Sequence, residues 1–316
     1  MMQEVLVITN CTNRKRTAAG RVEFSALDAS GTLQTVAARW VRAIGNAPAE
    51  MQAQNLYMGR AFAEARHVAE GLRGKLHIVS AGLGIVSADE EVPAYDLTVA
   101  GGPNSLKSLL ARHAQHPGDW WGALTEEFGS RRSVRALLCS GSQKLALFAL
   151  PGSYVALIAQ ELASLTNSQV NQVRLITSEH GQSYLPDRVR HIVMPYDERL
   201  ESSPFSGTRT DFAQRALRHF VEILGGHRLT PDEGRIAVAD AMASMTKRVI
   251  PDREKKTDRE IIVLLRDNWH RFGGASNRLL RFLRDDALVA CEQSRFRNLW
   301  RAVQHELAEK AVKINE

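Results

Sequence analysis

Short apolar runs alternate with helical patterns over the first two thirds of the chain. Runs rich in branched residues predict five buried strands, at 4–9, 76–80, 134–139, 173–178 and 189–194. Apolar positions spaced by threes and fours predict helices between them, at 35–44, 53–72 and 153–165. Strands separated by helices predict an α/β fold with a doubly wound, mostly parallel sheet over residues 1–203.

The remainder of the chain, residues 204–316, follows a stretch rich in Ser, Pro, Gly and Thr and has no strand pattern. Helices predicted at 258–269, 277–283 and 291–307, joined by tight turns, resemble a helix-turn-helix or winged-helix module. Eight arginines against four acidic residues between Arg266 and Arg301 favour nucleic-acid contact over a packing or dimerisation subdomain. The candidate DNA-binding residues are Arg278, Arg281, Ser294, Arg295, Arg297, Asn298 and Arg301.

Composition disfavours a membrane or secreted protein and favours a polyanionic partner. No apolar run approaches the ~20 residues of a membrane helix, and the N-terminus lacks the pattern of a secretion signal. The three cysteines have neither disulfide nor zinc-knuckle spacing. A cytoplasmic protein without membrane contact is therefore expected. The net charge of +6 and a pI near 9.4 favour a polyanionic partner such as DNA.

The stretch Lys75–Val99 carries the strongest signal for chemistry. The apolar run at 76–80 leads into Gly82 and Gly84, which allow a ligand to approach the main chain. Four carboxylates and a tyrosine then follow within twelve residues, namely Asp89, Glu90, Glu91, Tyr95 and Asp96. This pattern predicts a site at the carboxyl edge of the sheet.

Three other loops are predicted to meet the 80–96 loop at that edge: 10–16, 139–144 and 177–183. The first contains Asn10, Arg14 and Lys15, and its cations suit a phosphate. The second contains Ser140 beside a glycine, a composition that can hold a phosphate on backbone amides.

Three segments resemble a bacterial domain family of unassigned function, which is associated with the fold of uracil-DNA glycosylases and archaeosine-type nucleobase-exchange enzymes. They read ITNCTNRKR, LYMGRAFAEAR and IVSAGLGIVSADEEVPAYDLTV. The family pattern has leucine where Ile85 stands and lacks Ala94 between proline and tyrosine. Together with the basic tail, the chain is also similar to bacterial anti-phage DNA glycosylases that excise glucosylated hydroxymethylcytosine. The resemblance implies a DNA glycosylase that creates abasic sites in phage DNA.

The chemistry of such a reaction assigns roles to the candidate residues. Cleavage of an N-glycosidic bond needs a carboxylate beside the cationic sugar, for which Asp89 and Asp96 come first and Glu90 next. Asn10 would bind the base edge or orient water, and Tyr95 would stack on the extruded base. Arg14, Lys15 and Ser140 would hold phosphates. The reaction requires no metal or cofactor.

Two other functions remain open from the residues alone. A non-catalytic regulator would bind a nucleotide on the sheet and an operator with the tail, which leaves the carboxylates without a task. A metal-dependent nuclease would use the same carboxylates as metal ligands. The glycosylase is preferred, the regulator comes second and the nuclease third.

Overall fold

The structure is a computed structural model that describes residues 4–16, 20–99, 105–139, 144–247 and 251–314, with side chains as far as residue 308. The chain divides into two compact units, Met1–Arg248 and Val249–Glu316. The division falls after Arg248 instead of after residue 203, where the composition changes. The intervening segment joins the first unit because the buried face of a helix at 212–222 packs into the core of that unit.

A five-stranded sheet forms the centre of the first unit. The strands of this unit are β1 (Glu4–Asn10), β2 (Met51–Gln52), β3 (Lys75–Ser80), β4 (Gly84–Ser87), β5 (Glu91–Val92), β6 (Lys144–Ala149) and β7 (Val173–Ile176). The order in the sheet is β4-β3-β1-β6-β7, and β2 and β5 form a separate short antiparallel ribbon. All neighbouring pairs of the sheet are parallel except β3 and β4, so the predicted α/β class with a mostly parallel sheet is confirmed.

The helices of the first unit are α1 (Leu33–Gly45), α2 (Ala53–Leu56), α3 (Arg60–Gly71), α4 (Leu106–His113), α5 (Pro117–Glu127), α6 (Val134–Cys139), α7 (Gly152–Ala163), α8 (Asn167–Asn171), α9 (Glu179–Gln182), α10 (Asp187–Arg190), α11 (Phe212–Glu222) and α12 (Pro231–Ser244). The longer helices form two packed groups. One contains α3 and α11, which pack on each other and on the sheet; the other contains α1, α5 and α7.

Two of the five predicted strands are wrong. Residues 134–139 form α6, whose first turn is capped by the Ser133 hydroxyl and whose buried residues Val134 and Leu138 have helical spacing. The third parallel strand of the sheet is instead β6, a fully buried run that begins at Lys144. Residues 189–194 hold the end of α10, which starts after Pro186, and a single bridge from Val193 to β7.

The second unit has its own hydrophobic core. Its helices are α13 (Asp258–Asp267), α14 (Ser276–Arg281) with a π-helical continuation over Phe282–Asp286, and α15 (Gln293–Ile314). Each helix contributes buried side chains to that core, among them Ile261 of α13, Leu279 of α14 and Phe296 of α15. Helices therefore occur at all three predicted positions, and their arrangement as a helix-turn-helix stays a prediction.

Candidate functional site

The carboxyl ends of β1 and β3 bring the first two predicted loops together. The strands are parallel neighbours, and Asn10 is in register with Val79. The loop after β1 therefore contacts the 80–96 segment: the Lys15 ammonium lies 4.5 Å from the centroid of the Tyr95 ring and donates to the carbonyl oxygen of Leu97 at 3.3 Å. This part of the predicted site is assembled as expected.

A chain of buried hydroxyl groups fixes the position of Tyr95. The Ser80 Oγ accepts from the backbone N–H groups of Gly82 and Leu83, at 3.2 and 3.0 Å. Because both lone pairs are then used, the Ser80 hydroxyl donates to the Tyr95 hydroxyl, 2.6 Å away. The Tyr95 hydroxyl in turn lies 2.9 Å from that of Tyr57. Burial raises the pKa of both tyrosines well above the ordinary value, which keeps the chain protonated.

Tyr95 is not available for the predicted stacking on a base. Its side chain is fully buried, and its ring packs against the backbone of Gly82 and edge-on to Trp40. A Cβ on Gly82 would lie 2.9 Å from the Tyr95 ring, so this glycine serves close packing. Gly84 adopts a positive φ of 72°, and a Cβ there would lie 2.7 Å from Arg132. The space beside both glycines is thus filled by protein atoms and does not admit the predicted approach of a ligand to the main chain.

Asp96 presents a carboxylate oxygen without a partner. Its Oδ1 accepts from the backbone N–H of Phe24 at 2.7 Å, and its backbone N–H donates to Val22. Its Oδ2 is buried and has no hydrogen-bond partner among the described residues. An unsatisfied buried carboxylate oxygen is costly, so it indicates a position where a ligand or water binds.

The Lys15 ammonium interacts electrostatically with this carboxylate. Burial lowers the pKa of Lys15, while Cys11 and Asp96 act in the opposite direction. Lys15 makes no ion pair within 4 Å in the described ranges of the chain. Arg14, by contrast, is exposed. The predicted phosphate contact thus suits Arg14 and does not suit the inward-facing Lys15.

A second polar group lies at the same edge, between the ends of β1 and β6. The Asn10 Nδ2 donates to the Cys11 carbonyl oxygen at 2.8 Å, and its Oδ1 accepts from Gln214 at 2.9 Å. The Tyr154 hydroxyl lies 2.9 Å from both the sulfur and the carbonyl oxygen of Cys11. Both polar atoms of the Asn10 side chain are therefore engaged within the protein, and its predicted contact with a base edge stays a prediction.

Gln214 is a site residue that the sequence analysis missed. Its Nε2 also lies within hydrogen-bond distance of the Thr9 hydroxyl, at 3.1 Å, and of the Ala149 carbonyl oxygen, at 2.9 Å, and its Oε1 is buried without a partner in the described chain. The signal was present, because Gln214 lies three and six residues before the buried Leu217 and Phe220, on the apolar side of α11. The sequence analysis did not use this spacing, because it assigned residues 212–222 to the basic C-terminal domain. Tyr57 is also absent from the candidate residues, although it lies in the LYMGRAFAEAR segment.

Asp89 and Glu90 lie at the opposite edge of the sheet. Strand β4 is antiparallel to β3 and pairs Ser87 with His77, so the chain has returned to the amino end of β3 when it reaches them. Asp89 is exposed and accepts from the Ser87 hydroxyl, which lowers the pKa of its carboxyl group. Glu90 forms an ion pair with Arg132 at 2.5 Å. Their predicted place at the carboxyl edge is wrong, because the sequence pattern did not reveal the strand that reverses the chain; their catalytic role stays a prediction.

The described end of the predicted 139–144 loop, Lys144, lies at the amino edge of the sheet. Lys144 begins β6 in register with Glu4, so the chain enters this strand at the amino edge. Ser140 lies outside the described residues. The segment that follows β7 is at the carboxyl edge as predicted, where Thr177 keeps a buried hydroxyl without a described partner.

The second unit has an exposed polar face on α15. Ser294, Arg297, Asn298 and Arg301 occupy positions i, i+3, i+4 and i+7 and are all exposed. Arg295 differs from them: it is half-buried and bonds Asp258 and the carbonyl oxygen of Lys256. The remaining candidates, on α14, are both exposed: Arg278 and Arg281.

Comparison with protein-family models, with curated proteins and with solved structures finds no match for this chain. Within the described ranges, no group of three or more His, Cys, Asp or Glu side chains is placed to hold a metal ion. In the same ranges, no helix combines the length and apolar character needed to cross a membrane.

Proposed function

We propose that the protein is a DNA glycosylase whose reaction takes place beside Asp96. The observation that carries the proposal is the Oδ2 of Asp96, a buried carboxylate oxygen without a described partner. It lies in the segment that the Lys15 loop contacts, at the carboxyl edge of a mostly parallel sheet, where α/β proteins bind their ligands.

The free oxygen of Asp96 suits N-glycosidic cleavage. As the base departs, positive charge develops on the sugar, and a carboxylate at that point stabilises the charge or activates the attacking water. The other oxygen is fixed by the Phe24 N–H, so the carboxylate is already oriented before substrate binds. A pre-oriented anion costs no reorganisation during the reaction.

The exposed face of α15 supports DNA as the carrier of the base. Arginine and asparagine side chains contact phosphates and base edges, and Arg297, Asn298 and Arg301 project from one face without a described ion pair. The sequence resemblance points to glucosylated hydroxymethylcytosine in phage DNA as the base that is removed, with anti-phage defence as the biological role.

The positions of the carboxylates disfavour the metal-dependent nuclease. That alternative needs the carboxylates of the 89–96 stretch at one point, whereas Asp89 and Asp96 lie towards opposite ends of β3. A non-catalytic regulator is the remaining alternative, since the same edge of the sheet would bind a nucleotide without chemistry.

The test is incubation of the purified chain, in the presence of a chelator, with ordinary DNA and with phage DNA that carries glucosylated hydroxymethylcytosine. The released base is identified by mass spectrometry, and abasic sites are counted as breaks after alkali. Release of the modified base alone is the expected result. Tight DNA binding with no released base from either DNA would instead establish the regulator.

A further inference from the structure

The side chain of Lys15 is turned into the protein, unlike that of its neighbour Arg14. An antiparallel bridge between Lys15 and Tyr57 fixes the backbone at this point. The ammonium then lies over the Tyr95 ring at 4.5 Å and donates to the Leu97 carbonyl oxygen. Such a position suits a reacting amine better than a surface cation that binds phosphate.

The surroundings of Lys15 also favour its uncharged form. Burial lowers the pKa of the ammonium, and no described carboxylate lies within ion-pair distance to reverse the effect fully. A desolvated lysine has more free amine at neutral pH than an exposed one, and the free amine attacks carbonyl carbon.

We propose that the amine of Lys15 forms a Schiff base with the sugar of the abasic site and that the protein then cleaves the DNA strand there. The proposal rests on the proposed glycosylase function, because Asp96 and Lys15 belong to the same site. It adds an abasic-site lyase activity to base excision.

The reaction balances without an oxidant or reductant. The Lys15 nitrogen adds its electron pair to C1′ of the open-chain sugar, and loss of water gives an iminium. The free Asp96 Oδ2 takes a proton from C2′, and the C3′–O bond breaks, so that its electron pair leaves with the phosphate of the downstream strand. Water then hydrolyses the imine, which restores the lysine and releases an unsaturated aldehyde.

The test uses a duplex with a preformed abasic site, so that it does not depend on base excision. Wild-type protein is incubated with the duplex and borohydride, which reduces an imine to a stable covalent bond. Lys15→Arg keeps the positive charge over Tyr95 and cannot form the imine. Lys75→Arg is the matched control, since Lys75 is exposed and pairs with Glu4 at the amino edge of the sheet.

With borohydride, we expect a covalent protein–DNA adduct with the wild type and with Lys75→Arg, and none with Lys15→Arg. Without borohydride, the wild type and Lys75→Arg should cleave the strand without alkali. Peptide mapping of the wild-type adduct identifies the attached residue even if a variant folds poorly. An adduct on another amine, or its persistence in Lys15→Arg, would overturn the proposal. So would the absence of any adduct in wild-type protein that still releases the base, a result that leaves the glycosylase intact.

Discussion

Replacement of Tyr95 by phenylalanine tests the buried hydroxyl chain that positions the site. The change removes one oxygen and keeps the ring that packs on Gly82. It leaves the Ser80 hydroxyl without its acceptor and the Tyr57 hydroxyl without its partner, because both meet at the Tyr95 oxygen. All three side chains are buried, so water does not replace the lost bonds.

The magnitude follows from the two groups left unsatisfied. Each buried polar group without a partner costs about 1–3 kcal/mol, so the free energy of unfolding should fall by roughly 2–6 kcal/mol in Tyr95→Phe. For a unit of this size, that corresponds to a decrease in Tm of roughly 4–24 °C. Tyr184→Phe is the matched control, because the exposed Tyr184 hydroxyl bonds only His180 in the described chain; its effect should stay within about 0.5 kcal/mol.

The assay is urea unfolding of both variants and the wild type, followed by tryptophan fluorescence; the buried Trp40 contributes to this signal, and its ring centroid lies 6.2 Å from that of Tyr95. A loss in Tyr95→Phe no larger than that in Tyr184→Phe would refute the hydroxyl chain as a support of the site.

Three further predictions concern packing, pH and DNA contact. Gly82→Ala should lower the free energy of unfolding by about 1–3 kcal/mol through overpacking on Tyr95, whereas Gly45→Ala, with open space around it, should not destabilise; equal effects in urea melts would contradict this. Burial lowers the pKa of His77 to about 4, so the unfolded chain alone binds a proton there between pH 6.5 and 4. Wild-type stability should fall with decreasing pH in that window, at up to about 1.4 kcal/mol per pH unit more than in His77→Gln; parallel curves would be the contrary result. Arg297→Gln should weaken DNA binding and reduce the salt dependence by about one counterion, and unchanged binding isotherms would remove α15 from the interface.

The sequence predicted the fold class well where the strands are separated by clear helical patterns. β1, β3 and β7 were found because branched apolar runs of their length occur in buried parallel strands. The run at 134–139 was misassigned, because a short apolar segment does not distinguish a strand from a helix without its capping residue, here Ser133.

The candidate site was predicted in part. Lys15, Tyr95 and Asp96 do lie at one edge, since parallel strands place their following loops together. Asp89 and Glu90 were assigned to the same edge because they are close in sequence, and only the pairing of β4 with β3 shows that they are not.

The most direct measurement of the site is the single-turnover rate of base release by Asp96→Asn and Asp89→Asn on DNA that carries the modified base. Each change removes one charge and keeps the side-chain shape, and the two residues lie towards opposite ends of β3. We expect Asp96→Asn to lose roughly 100-fold or more in rate and Asp89→Asn to match the wild type. A full rate in Asp96→Asn, with the loss in Asp89→Asn instead, would place the chemistry at the amino edge and contradict the assignment.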